Sequence, residues 1–198
     1  MELDALKEVG NIGAGNAATA LSVLLSKTIK INVPQAKLMP FDDVAKTVGG
    51  HEKLVAGLFM RFTGDIDGNI LIVIDERDVR DLIELLFKQK TTNSMDLSPL
   101  EVSALGELGN IVASSYIVAL SDFSKLTMKL SVPSFALDMA GAILSFPLSL
   151  YGYLGDMAFL IDTEFIEGLE GTKLHFFLIP DDESLKSILK AIGVNPFE

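Results

Sequence analysis

The sequence has no cysteine. That excludes a disulfide scaffold, a thiolate zinc site and a thiol nucleophile. Histidine is scarce. His51 and His175 are the two histidines, and they lie in different regions with no acidic or cysteine cluster around them, so neither reads as a chemical group. Positive charge is in deficit, with 16 Lys and Arg against 27 Asp and Glu and a net charge of -11. A phosphate-rich partner would favour a basic face, so nucleic acid and anionic membrane surfaces are poor partners. Long apolar runs are missing too. The longest uncharged stretch, Met139 to Gly155, contains Pro147 and Gly152 and falls short of the roughly 20 apolar residues a span needs. No basic segment followed by an apolar one opens the chain. The expectation is a soluble, cytoplasmic protein.

What is present is an ordinary globular composition, 49% hydrophobic and 22% charged over 198 residues. That size suits one domain, or two small halves sharing a core. The chain also repeats itself. Leu6, Glu8, Gly10, Asn11, Ile12 and Ala14 recur 99 residues later as Leu105, Glu107, Gly109, Asn110, Ile111 and Ala113, and Pro34 recurs as Pro133. One offset of half the chain implies two similar halves rather than a solenoid of short units. The halves fall at about 1–90 and 98–198, with a polar linker over 91–98.

Each half reads helix, strand, strand, strand, helix. Lys30–Leu38, Leu54–Phe62 and Asn69–Ile74 have strand character in the first half, and Met128–Leu137, Met157–Asp162 and Lys173–Ile179 in the second. The Gly64–Gly68 turn suits a hairpin. Closing helices follow at Val79–Phe87 and Leu185–Ile192, each opened by acidic residues that suit a helix N-terminus. Ser98, Pro99 and Glu101 start the second long helix well. The second half carries an extra segment, Met139–Tyr151, with helical character. The expected fold is α/β of the α+β type: a mostly antiparallel six-stranded sheet with two long helices packed on it, pseudo-two-fold within one chain.

Asp4, Glu8 and Asn11 are spaced i, i+4, i+7 and share one helix face; Ser103, Glu107 and Asn110 repeat that spacing. Leu6, Val9 and Ile12 lie on other faces. Gly10, Gly13 and Gly15 are costly in a helix, each by about 1 kcal/mol relative to Ala. They suggest a close approach to the sheet or to a partner. A dinucleotide turn does not fit, because the order is GxxGxG and no strand precedes it.

Asp4, Glu8, Asn11 and Pro34, with Ser103, Glu107, Asn110 and Pro133, resemble the signature of the CheC/CheX/FliY phosphatases: Asp or Ser, three residues, Glu, two residues, Asn, twenty-two residues, Pro. Two copies in one chain resemble the CheC branch of that family. The resemblance implies hydrolysis of the aspartyl phosphate on a CheY-type response regulator. Asn11 and Asn110 would orient the attacking water, and Glu8 and Glu107 would pair with the regulator's Lys. Asp4 and Ser103 would be capping or rim contacts, and Pro34 and Pro133 would fix the chain within the first strand of each half. Mg²⁺ would sit on the regulator, leaving this chain with no metal or cofactor of its own. The resemblance also implies binding of the receptor deamidase CheD, near Asp138, Met139, Ile143 and Leu144, by a monomer. A buried amphipathic helix is the other reading of that last segment. The rival for the whole chain is a non-catalytic module that holds the regulator or CheD.

Overall fold

The computed structural model of the chain describes residues 4–88, 96–151, 157–167 and 171–193. The linker read at 91–98 lies outside the described residues as far as residue 95. Helix α1 spans Asp4–Leu25, followed by strands β1 (Lys30–Asn32) and β2 (Ala36–Pro40), a single 3₁₀ turn, and the short α2 (Val44–Thr47). The β3–β4 hairpin (Leu54–Gly64, Gly68–Asp75) runs straight into α3 (Glu76–Phe87). The second half gives α4 (Pro99–Ser124), β5 (Met128–Leu130), β6 (Ser134–Met139), α5 (Ala140–Tyr151), β7 (Met157–Glu167), β8 (Lys173–Pro180) and α6 (Asp182–Ala191).

The strands form one antiparallel sheet in the order β1-β7-β8-β4-β3-β5, with β2 also along β7 and β6 also along β3. Eight strands replace the expected six because each long first strand is cut in two. The cuts fall at residues 33–35 and 131–133, around Pro34 and Pro133. Proline has no N–H to give a ladder, so the two prolines sit in the breaks rather than inside strands. The chain stays attached across both breaks: Asp162 N–H donates to the Gln35 carbonyl at 2.9 Å, and Ser131 N–H to the Arg61 carbonyl at 2.8 Å.

Strands β4 and β8 lie at the centre and are buried on both faces, which explains their unbroken apolar runs Ile70–Ile74 and Phe176–Ile179. On one face Ile70, Ile72, Phe176 and Leu178 pack under α1 and α4. On the other, Leu71, Val73, Phe177 and Ile179 pack under α2 and α5, through Val44, Ala45, Ile143 and Leu144. By length and composition alone, α4 is the one helix among the described residues apolar enough to cross a membrane. One face of it is core: Leu105, Leu108, Val112, Ile117 and Leu120 are buried there, while Leu100, Val118 and Phe123 are exposed.

Helix α4 starts with a reciprocal cap. Glu101 N–H donates to Ser98 Oγ at 3.3 Å, and Glu101 Oε2 accepts from Ser98 N–H at 2.8 Å and from the Ser98 hydroxyl at 2.7 Å. These bonds to the Ser98 side chain and backbone hold the Glu101 carboxyl below its ordinary value of 4.5. Ser98→Ala is expected to cost about 1 kcal/mol in a denaturant melt. A depressed folded-state value means that the Glu101 contribution is present above pH 4.5 and is lost as pH falls through the folded value. The difference between wild type and Glu101→Gln therefore narrows in acid.

Candidate functional site

Helix α1 places Asp4, Glu8 and Asn11 in solvent, and α4 exposes Ser103 and Glu107 and leaves Asn110 half-buried. None of these six points into the core. The inward face of α1 is carried by Leu6, Val9, Gly10, Gly13, Ala14, Ala17 and Leu21. Ser103 differs from Asp4 in that its hydroxyl donates to the Pro99 carbonyl at 2.8 Å, so it is engaged within its own helix.

The glycines explain how the helices lie so close to the sheet. A Cβ at Gly10 would stand 3.2 Å from Ile161 on β7 and 3.3 Å from Val33, the residue before Pro34. A Cβ at Gly109 would stand 2.5 Å from Leu58 on β3. Gly106, one turn before Asn110, lies against Pro133, with 3.7 Å between its added Cβ and the ring. Each proline break is thus folded against the flank of its helix near the Asn. Gly13 instead meets α4, against Tyr116. Gly15 has open space.

Tyr116 anchors α4. It is buried, its hydroxyl lies 2.7 Å from Thr163 Oγ1 on β7, and its ring centre is 4.7 Å from that of Phe176. Burial pushes its phenol from 10.0 up to about 12, against the opposing pull of the Thr163 hydrogen bond. Tyr116→Phe leaves the buried Thr163 hydroxyl without this partner and is expected to cost about 1–2 kcal/mol. Adding Thr163→Val should cost little more, because the two hydroxyls satisfy each other. A raised folded-state value also means that the Tyr116 contribution is lost as pH climbs from 10 towards 12, so the gap between wild type and Tyr116→Phe narrows there.

Asp138 and Met139 are exposed at the end of β6, but Ile143 and Leu144 face inward at 5% and 7% exposure, in the apolar layer behind the sheet. Ile143 packs on Gly57. The placement of those two residues is corrected: they lie on the buried side of a largely apolar helix. One pair escaped sequence reasoning. His175 Nδ1 lies 2.7 Å from Asp162 Oδ1 beside Pro34, at a small cavity of about 90 Å³. Only the β7–β8 register, which sets Asp162 opposite His175, brings them together. Among the described residues no group of three or more His, Asp or Glu could hold a metal ion.

A Glu and an Asn less than one turn apart, off the core beside a proline loop and recurring on two packed helices, find a match among known proteins. Residues 1–38 and 100–137 match the model of the CheC-like family. The chain is 37% identical over 198 residues, 98% of its own length and 95% of the relative's, to the CheY-P phosphatase CheC of Bacillus subtilis. The chain belongs to the CheC-like family. Solved structures agree on the fold. The crystal structure of FliY from Thermotoga maritima aligns with a TM-score of 0.75 at 22% identity, covering 96% of this chain and 94% of that one. The CheX of a Borrelia burgdorferi CheX–CheY–BeF₃–Mg²⁺ complex aligns with a TM-score of 0.52 at 14% identity, covering 86% and 96%. This member of the CheC-like family carries the Glu and Asn of both signature copies on solvent-facing helix flanks.

Proposed function

We propose that this chain is a protein aspartyl-phosphate phosphatase acting on a CheY-type response regulator, with one site at Glu8 and Asn11 and a second at Glu107 and Asn110. The observation that carries the reading is the outward placement of both Glu–Asn pairs in a chain 37% identical, over nearly its full length, to a CheY-P phosphatase.

The chemistry follows from the side chains. An acyl phosphate is already activated, and its hydrolysis needs an in-line water and stabilised charge more than it needs a new nucleophile. A carboxamide both accepts from that water and donates to it, and it brings no charge next to the phosphoryl oxygens. Asn11 or Asn110 enters the regulator's site and orients the water. Glu8 or Glu107, three residues earlier on the same helix, pairs with a regulator lysine and sets the register. The regulator supplies Mg²⁺; this chain supplies neither metal nor cofactor. Asp4 and Ser103 stand at the rim, and Pro34 and Pro133 shape the adjoining loops. The reading includes a cytoplasmic monomer with two sites, and CheD docking through exposed Asp138 and Met139.

The test follows loss of label from phosphorylated regulator with and without the chain, beside small phosphatase substrates. Acceleration confined to the phosphoprotein is expected. Unchanged decay on adding wild type would reject the reading in favour of a module that only binds.

A further inference from the structure

The two Glu–Asn pairs leave their helices on opposite flanks, and from this we infer that one chain holds two regulator domains at the same time. The inference rests on the proposed function and concerns its stoichiometry.

The direction of each pair can be counted from the contact between the helices. An α-helix turns about 100° per residue. On α1 the contact with α4 is made at Gly13, against Tyr116. Counted from Gly13, Asn11 lies about 160° to one side and Glu8 about 140° to the other, so the pair straddles the direction pointing straight away from α4. On α4, counted from Tyr116, Glu107 lies about 180° away and Asn110 about 120° away. The exposure of Glu8, Asn11 and Glu107 agrees with this count. So does the partial cover of Asn110, which leans towards the flank where Pro133 lies against Gly106.

The two pairs are also offset along the helices. Leu6 and Val9 of α1 share a small cavity with Tyr116, Ile117 and Leu120 of α4, which requires antiparallel helices, because a parallel register through Gly13 and Tyr116 would carry Leu6 about 16 Å from Leu120. In the antiparallel register Asn11 and Asn110 are about 12 Å apart along the axis. Axes about 8 Å apart and side chains reaching about 5–6 Å from each axis add about 18–20 Å across it.

A domain of about 100–150 residues has a radius of gyration of about 13–15 Å, equivalent to a sphere of about 17–19 Å radius. Two such spheres touch when their centres are about 34–38 Å apart. Seated on opposite flanks, their centres lie about 50–60 Å apart, so neither blocks the other. The sites are then independent, and their rates add.

Regulator loaded with BeF₃⁻ and Mg²⁺ is titrated onto the intact chain by calorimetry, with complex mass read by light scattering. Two regulators per chain are expected. The Glu8→Ala/Asn11→Ala variant should take up one, with about half the wild-type kcat and an unchanged KM. One regulator per wild-type chain, with phosphatase activity intact, overturns simultaneous occupancy and leaves the proposed function standing. Absence of both binding and activity overturns the two together.

Discussion

With both Asn11 and Asn110 changed to Ala, the chain is expected to leave regulator phosphate decaying at its intrinsic rate while melting like wild type. The two halves of that expectation have separate causes. Asn11 is exposed and Asn110 half-buried, and among the described residues neither amide has a hydrogen-bond partner, so truncation should shift stability by no more than about 0.5 kcal/mol. The reaction loses the groups that orient its water, and such a loss costs about 100-fold or more at each site. Single variants should keep about half the rate, because the other site is untouched. Asn→Asp at both positions should fail as well, since a carboxylate adds like charge beside the phosphoryl group. Glu8→Ala with Glu107→Ala should instead raise KM, since those residues hold register rather than the water. Full activity in the Asn11→Ala/Asn110→Ala protein would remove the amides from the mechanism.

Gly13→Ala and Gly15→Ala, two residues apart on one helix, are expected to move stability in opposite directions. Both gain about 1 kcal/mol of helix propensity on paper. At Gly15 nothing lies within reach of the new methyl, so that gain should appear in full as a higher denaturant midpoint. At Gly13 the methyl would meet the ring of Tyr116 and stand 3.0 Å from its Cα. Backbone cannot turn aside as a side-chain tip can, so α1 and α4 must separate, and the Tyr116 hydroxyl that reaches Thr163 is drawn with them. Overpacking of this kind costs about 1–3 kcal/mol, and against backbone it is expected to exceed the propensity gain. Equal midpoints for the two variants would show that α1 and α4 cross more loosely than the Gly13–Tyr116 contact implies.

The parts of this molecule that could be read from residue order are those set by local periodicity. Glu8 and Asn11 had to share a helix face, and Ser98, Pro99 and Glu101 had to open a helix, whatever packed against them. The strands were legible as apolar runs, and the hairpin by its Gly64–Gly68 turn. The rest depended on distant partners. Lys30–Leu38 looked continuous because its side chains suit a strand; only the proline break and the change of partner register on β7 divide it. Helix α2 is a single turn, too short to leave a periodic trace. Ile143 and Leu144 sit on an apolar helix with little polar contrast, so their inward orientation was set by Gly57, Leu71 and Phe177 across the sheet. Asp162 and His175 are neighbours by strand register alone.

The strand order has a kinetic corollary. Ala36 pairs with Ile161, and Leu54 pairs with Met139, so each half lends its first strands to the hairpin of the other. Neither hairpin can be flanked until remote stretches of chain have met, and closing such long loops is entropically slow. Refolding should therefore be unhurried, on the scale of milliseconds to seconds, and a fragment ending after α3 would carry bare sheet edges seeking a second copy.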